Sequence, residues 1–541
     1  MVMRGMIALL LALTATVEAQ KQPPHIIFIL ADDLGWNDVS FHGSGQIPTP
    51  NIDALAYDGI ILNNYYVSPI CTPTRSAILT GRHPIHTGQQ VDTILGSRPY
   101  GVPLNETLMP QYLKKCGYAT HIVGKWHLGF FAREYTPLFR GFDSHYGYWL
   151  GHQDYYDHTA QGGNGYWGYD MRRNMSVDRS ASNKYTTDLF TEEAVTVINS
   201  HDKSKPLFLY LAHLATHSAN SYSPLQAPQK YLQKVQHIKH KQRRLFGGMA
   251  VGLDESVGQV VQALKANNML DSSIIVFSTD NGGPASGFDM NYANNAPLRG
   301  VKDTLWEGGV RGVGFIWSRL LRKTRRVSQQ MMHITDWLPT LYHAAGGDTG
   351  ELVAPDGISM WPALSGGGAS PRNEILHNID DVRHIAALRR GDWKIRIGHT
   401  YAGHWDGWYE LPEATVRAPD SAFVTPLTRI LGDPPRPHDW ESVVISCGKK
   451  PDNASVNCRP TVAPCLFNIR DDPCEYNNMA AARPDVVSAL LGRLAMYNAT
   501  QVKPANKPID PKSNPKFYDY VWTWWKTLDA SGREHYVLND L

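Results

Sequence analysis

The chain has 541 residues, a net charge of +2 and six cysteines. A charge so near zero gives no bulk electrostatic basis for binding nucleic acid or an anionic membrane surface. Six cysteines are too sparse to staple a chain of this length, so its stability has to come from a large hydrophobic core.

Residues 1–19 read as a removable signal peptide. Arg4 precedes an apolar run from Met6 to Val17, and Val17-Glu18-Ala19 is a small-x-small cleavage pattern. The run is about a dozen residues against the ~20 that span a bilayer. The expectation is entry into the secretory pathway, to a lysosomal or secreted destination, with no membrane span. Four N-x-S/T sequons, at Asn105, Asn174, Asn453 and Asn498, fit a glycoprotein of that compartment.

Four short apolar runs then alternate with amphipathic stretches: His25 to Ala31, Ala119 to Val123, Pro206 to Leu211 and Ser273 to Ser278. This alternation predicts an α/β fold with a large, mostly parallel sheet flanked by helices. Polar residues follow each run: Asp32-Asp33, then Lys125 and His127, then His213 and His217, then Asp280-Asn281. The carboxyl ends of parallel strands share one edge, where α/β proteins place ligands. Segments far apart in sequence are predicted to meet there.

Asp32, Asp33, Asp280 and Asn281 are hard oxygen donors, with no Cys or His inside either pair. Each pair alone also reads as a solvated turn; that both terminate apolar strands is what argues for a site. Such a set suits Ca²⁺ or Mg²⁺ over Zn²⁺, and Ca²⁺ where protein groups supply most of the ligands. With a divalent ion and the cations Arg75, Lys125 and Lys302, these carboxylates leave a net positive site that attracts an anionic ester, sulfate and phosphate alike.

Cys71 lies in Ser68-Pro69-Ile70-Cys71-Thr72-Pro73-Thr74-Arg75. No second Cys or His stands at ligand spacing, which makes it a poor zinc or disulfide motif. It reads as a modification site, against the plainer alternative of a buried Cys beside a helix start. Arg75, four residues on, falls on the same helical face.

Five motifs in order, Asp32-Asp33-Leu34-Gly35-Trp36-Asn37-Asp38, Cys71-Thr72-Pro73-Thr74-Arg75, Gly124-Lys125-Trp126-His127-Leu128-Gly129, Ser278-Thr279-Asp280-Asn281-Gly282-Gly283 and Leu305-Trp306-Glu307-Gly308-Gly309-Val310-Arg311, resemble those of type I sulfatases. The resemblance is closest to the arylsulfatase B type, N-acetylgalactosamine-4-sulfatase, and runs from about Pro24 to about Tyr497. It implies an alkaline-phosphatase-like fold and conversion of Cys71 to formylglycine by a formylglycine-generating enzyme. It implies Ca²⁺ on Asp32, Asp33, Asp280, Asn281 and the converted Cys71, with Arg75 holding the formylglycine and Lys125, His127, His217 and Lys302 as the rest of the catalytic shell. One hydroxyl of the hydrated aldehyde then attacks sulfur and the other expels sulfate from the enzyme-sulfate ester, while His217 protonates the leaving alcohol and His127 accepts a proton.

The implied substrate is the 4-sulfate of N-acetylgalactosamine in chondroitin or dermatan sulfate. One departure bears on it: His217 is followed by Ser218-Ala219-Asn220 where the type usually has an acid and a proline, and His213 stands nearby as a second candidate acid. Small sulfated metabolites, such as aryl sulfates or glucosinolates, are therefore an alternative. A related phosphodiesterase and a non-catalytic sulfated-glycan binder are further ones, and the intact set of site residues argues against the binder.

The catalytic domain is expected over 24–370 and a smaller domain over 371–541. Glu374 to Ile379 and His384 to Ile397, the latter broken at Gly391-Asp392, predict a small antiparallel sheet. His399 to Trp440 read as one long loop. With Cys71 converted, Cys116 is expected to be free and buried. Cys447, Cys458, Cys465 and Cys474 allow three pairings, of which 447 with 458 and 465 with 474 is preferred. The run Tyr518, Tyr520, Trp522, Trp524 and Trp525 is expected to pack on the main domain rather than stack sugars.

Overall fold

The computed structural model describes residues 22–411 and 425–537. The expected signal peptide, and residues 412–424 of the expected loop, lie outside them. The strands in chain order are β1 His25–Ala31, β2 Ile60–Tyr66, β3 Ala119–Lys125, β4 Ser144–Tyr148, the hairpin β5 Thr159–Gln161 and β6 Trp167–Tyr169, β7 Arg172–Arg173 and β8 Ser176–Val177. They continue as β9 Leu207–Ala212, β10 Ser273–Thr279, β11 Gly314–Ser318 and β12 Arg326–His333.

A ten-stranded sheet has the order β12-β2-β11-β10-β1-β9-β3-β4-β7-β8. Its centre is parallel, β10 to β1 to β9 to β3 to β4. Every residue of β1, β9 and β10 is buried, which is why these strands read as unbroken apolar runs: helices cover both faces of a parallel sheet. The helix Lys241–Ala266 packs beside Thr186–Asn199 in this layer.

Register delivers the site residues. Ala31 of β1 lies opposite Thr279 of β10, and Ala212 of β9 is flanked by Leu30 and Gly124. Asp280 and Asp32 therefore emerge at one sheet edge from the adjacent strands β10 and β1, with Lys125 at the end of β3 across the intervening β9.

The second sheet is antiparallel, β13 Glu374–Asp380, β14 Ile385–Arg390, β15 Trp393–Ile397 and β16 Cys465–Asn468. Gly391 turns β14 into β15 with φ +56°, a conformation cheap only for glycine. The helix Pro484–Asn498 buries Leu490 and Leu494 against Leu376, Leu388, Ile395 and Leu466 of this sheet. Lys394 of β15 ties the two sheets together, 2.9 Å from Glu307 and 3.0 Å from Glu475, all three buried.

Three expectations are corrected. The disulfides join Cys458 to Cys465 and Cys447 to Cys474, because the chain entering β16 folds back over a short loop and brings Cys458 to Cys465, leaving the outer pair to close around it. Cys116 is free but only half-buried, since it caps the surface end of the helix Met109–Lys115. The segment expected as one loop contains the helix Pro426–Leu431, which buries Leu427 and Leu431 in the large core. Of the aromatic tail, Trp522 and Trp525 pack as expected, fully buried with indole N–H groups donating to Ala160 O at 3.0 Å and Asp510 Oδ2 at 3.0 Å, whereas Tyr518 and Trp524 are half-buried and Tyr520 stands in solvent.

Candidate active site

The helix Cys71–Thr80 begins with Cys71 as its first residue, after Ile70 in extended conformation. Pro73 is tolerated in this first turn, where its missing N–H has no helical partner to lose. Thr74 Oγ1 accepts from Ser68 N at 2.9 Å and fixes the entry. Cys71 Sγ comes to rest 3.8 Å from Asp32 Oδ1.

Around it the strand-end residues converge. Lys125 Nζ donates to Asp32 Oδ2 at 2.6 Å, and Lys302 Nζ donates to Asp33 Oδ2 at 2.9 Å. Asn281 Nδ2 donates to Asp33 Oδ1 at 2.7 Å, and Asp33 N to Asp280 Oδ1 at 3.2 Å. Arg75, fully buried, sets Nε and Nη2 on Asp280 Oδ2 at 3.1 and 2.8 Å, with Asp32 Oδ2 3.6 Å away. The guanidinium thus braces the carboxylates, rather than reaching the Cys71 thiol.

Two histidines face the same space. His127, with φ +56°, sets Nε2 at 3.2 Å from Ile94 O and leaves a buried Nδ1 without a partner. Gly151 makes room for its ring, since a Cβ there would stand 2.6 Å from His127 Cε1. His217 hydrogen-bonds Ser218 O through Nδ1 at 2.7 Å and Lys302 Nζ through Nε2 at 3.2 Å. His213, the other candidate, is buried in the helix layer with Nε2 on Ser256 Oγ at 2.9 Å.

Burial and charge tune these groups. Burial, reinforced by Asp280, raises the Asp32 carboxyl well above the usual range. Burial opposes ionisation of Asp280 as well, but Arg75 and Lys125 outweigh it and hold that carboxyl at about 2. Burial, with Lys125 beside His127 and Lys302 beside His217, pushes both imidazoles well below the usual histidine range. Burial pushes the Cys71 thiol up.

Two contributors carry no motif in the sequence. Asp289 accepts from Lys302 Nζ at 2.7 Å from a left-handed backbone position, φ +52°. His152 stacks on His217 with ring centroids 6.0 Å apart, and burial pushes it down to about 4. Gly287-Phe288-Asp289 and Gly151-His152 match no motif in the chain, so only the tertiary contact singles them out.

A cavity of about 430 Å³ opens over Cys71, lined also by His127, His152, His217, Asp289 and Lys302. Among the described residues, Asp32, Asp33, Cys71 and His217 each bring a ligand atom within 4.8 Å of the others. The buried Asn281 Oδ1 lacks a hydrogen-bond partner, and an orphaned hard oxygen among three buried carboxylates fits a Ca²⁺- or Mg²⁺-type cation.

The Sulfatase family profile matches residues 24–347. Arylsulfatase J of Mus musculus is 41% identical over 519 residues, covering 94% of this chain and 81% of that protein. N-acetylgalactosamine-6-sulfatase of Homo sapiens is 31% identical over 400 residues, covering 72% and 74%. The crystal structure of Ps i-CgsB in complex with k-i-k-neocarrahexaose superposes with a TM-score of 0.72 at 27% identity, covering 92% of this chain and 97% of that one. These relatives carry the type I sulfatase assignment and the alkaline-phosphatase-like fold, not the 4-sulfatase type in particular. With this site at the sheet edge, the chain belongs to the sulfatase family and is a sulfuric ester hydrolase.

Proposed function

We propose that the protein removes sulfate from a sulfated carbohydrate, with Cys71 converted to formylglycine and Ca²⁺ held by Asp32, Asp33, Asp280, Asn281 and the converted Cys71. The observation that carries this reading is the placement of Cys71, buried at the first turn of its helix, 3.8 Å from Asp32 and at the floor of a cavity that Lys302, His127 and His217 also line. Family membership implies a formylglycine made from a cysteine and a divalent cation; the cation would polarise the attacking hydroxyl and the ester oxygens. Hydrated, the aldehyde would offer one hydroxyl for attack on sulfur and a second whose deprotonation would let sulfate leave as the aldehyde re-forms.

The chain's own groups do the rest. Lys125 and Lys302 present ammonium donors to the non-bridging oxygens, where negative charge has to be met. Arg75 keeps Asp280 ionised and in place. His217 lies beside Lys302 and protonates the departing alcohol; an anionic ester next to Nε2 raises its proton affinity from the depressed resting state. His127, with its free Nδ1, accepts the proton of the second hydroxyl. Passage through the secretory pathway, where a formylglycine-generating enzyme acts, is part of the same proposal.

The motif resemblance favours the 4-sulfate of terminal N-acetylgalactosamine in chondroitin or dermatan sulfate. A second reading, small aryl sulfates or glucosinolates, is favoured by Ser218-Ala219-Asn220 after His217. The deciding measurement is kcat/KM on the two substrate classes; a preference of about a hundredfold for the small compounds ends the glycosaminoglycan reading. The chemistry itself is tested by the mass of the Cys71 peptide with and without an aldehyde-reactive probe. An unmodified thiol in active enzyme sinks it, and Cys71→Ala is expected to abolish turnover while leaving the fold intact.

A further inference from the structure

The cavity over Cys71 has one wall that continues outward. Gln161 and Gly162, at the end of β5, line it, and Gln161 is paired directly across the hairpin with Trp167 of β6. Directly opposed residues of an antiparallel pair present their side chains on one face. Trp167 is 37% exposed and stacks on Tyr222, 57% exposed, with ring centroids 6.0 Å apart and planes 29° apart. Two large aromatic rings stacked in solvent, one of them paired across the hairpin with a residue of the cavity wall, make an exposed apolar surface of the kind that marks a ligand site.

We propose that Trp167 and Tyr222 form a carbohydrate subsite, stacking the C–H face of the pyranose ring that follows the sulfated residue in an oligosaccharide. This rests on the sulfatase reading of the site and deepens it.

The pair is built to stay in place. Asn220 fastens the loop after His217 to the hairpin, donating to Thr159 O at 3.0 Å and accepting from Gln161 N at 3.2 Å. Tyr222 OH donates to Asp157 Oδ2 at 2.6 Å, which satisfies its polar end and leaves the ring faces for contact. The hairpin rests on buried Trp522, whose indole donates to Ala160 O and whose ring would lie 2.4 Å from a Cβ at Gly162. A rigid platform binds at low entropic cost.

Position selects the occupant. Tyr222 follows His217 by only five residues, so their Cα atoms lie within about 18 Å of each other. A small aryl sulfate is accommodated within the cavity and ends there. A sugar chain has to leave it, and the exit along Gln161 meets Trp167. The segment 218–222, where the chain departs from the arylsulfatase B pattern, is the one that supplies Tyr222.

The test compares N-acetylgalactosamine-4-sulfate with a chondroitin trisaccharide carrying the same sulfated sugar at its non-reducing end. The expected result is a wild-type preference for the trisaccharide that Trp167→Ala reduces about tenfold, as the ratio of the two kcat/KM values. Trp167→Phe, which keeps a ring, is expected to retain most of it. A wild type indifferent to chain length, or a ratio that Trp167→Ala leaves unchanged, overturns the subsite. Calorimetric binding of the trisaccharide to Cys71→Ala protein, with and without Trp167→Ala, decides the question independently of turnover; equal affinities, or no binding, overturn it too. Turnover of 4-nitrophenyl sulfate by the wild type reports separately on the sulfatase reading.

Discussion

Lys302 Nζ donates to His217 Nε2 at 3.2 Å while His217 Nδ1 meets the carbonyl of Ser218 at 2.7 Å. An ammonium has only donors and a carbonyl only accepts, so these two contacts fix the tautomer: the proton sits on Nδ1 and Nε2 carries the lone pair. The nitrogen that faces the cavity is therefore the one that takes up and passes on a proton.

If His217 is the acid for the leaving alcohol, His217→Ala lowers kcat on sugar sulfates by about 10²-fold or more, and far less on an activated aryl sulfate whose phenolate departs without a proton. Steady-state kinetics on both substrates checks this. Equal losses would move the role to Lys302, which touches the same nitrogen.

Elemental analysis of the purified protein is expected to find calcium at about one ion per chain, because the donors at the sheet edge are carboxylate and amide oxygens. Asp33→Ala, which leaves Lys302 paired with Asp289 alone, is expected to lose both the ion and activity. Stoichiometric zinc with no calcium would contradict the assignment.

Lys394→Met removes the cation that bridges Glu307 and Glu475 and leaves two buried carboxylates facing each other. The expected cost is about 3–5 kcal/mol of stability, read as a lower urea midpoint. A loss under about 1 kcal/mol would mean that Arg311 and Tyr66, which also reach Glu307, hold the junction unaided.

His213 gives a pH dependence away from the cavity. Burial pushes its imidazole down to about 3, whereas the unfolded chain takes up the proton near 6.5. Its contribution to stability is complete above pH 6.5 and is lost as pH falls from 6.5 toward 3, roughly 2 kcal/mol by pH 5. In His213→Gln the fall in urea midpoint between pH 7 and 5 is expected to be shallower. An unchanged slope would place the acid sensitivity in the other buried histidines.

What the sequence determined by itself was the set of strands and the residues at their ends. β1 begins at His25 and ends at Ala31 as read from its apolar run, because a strand buried on both faces has no polar position to blur its limits. Asp32, Lys125 and Asp280 could be placed together for the same reason: parallel strands share an edge, and the residues at their carboxyl ends are pinned to it. Cys71 and Arg75 needed only helical spacing.

Everything that depended on how distant loops fold against one another was decided by the tertiary structure. The cysteine pairing followed from β16 turning back beside β15, which no spacing encodes. Arg75 was drawn to Asp280 and Asp32 because buried carboxylates compete for a guanidinium more strongly than a thiol does. Asp289, His152 and the Trp167–Tyr222 stack are set by backbone turns at φ +52°, a ring stack and a hairpin clamped on Trp522. Such contacts arise between residues with no common periodicity, and periodicity is the only long-range order that a single chain displays before it folds.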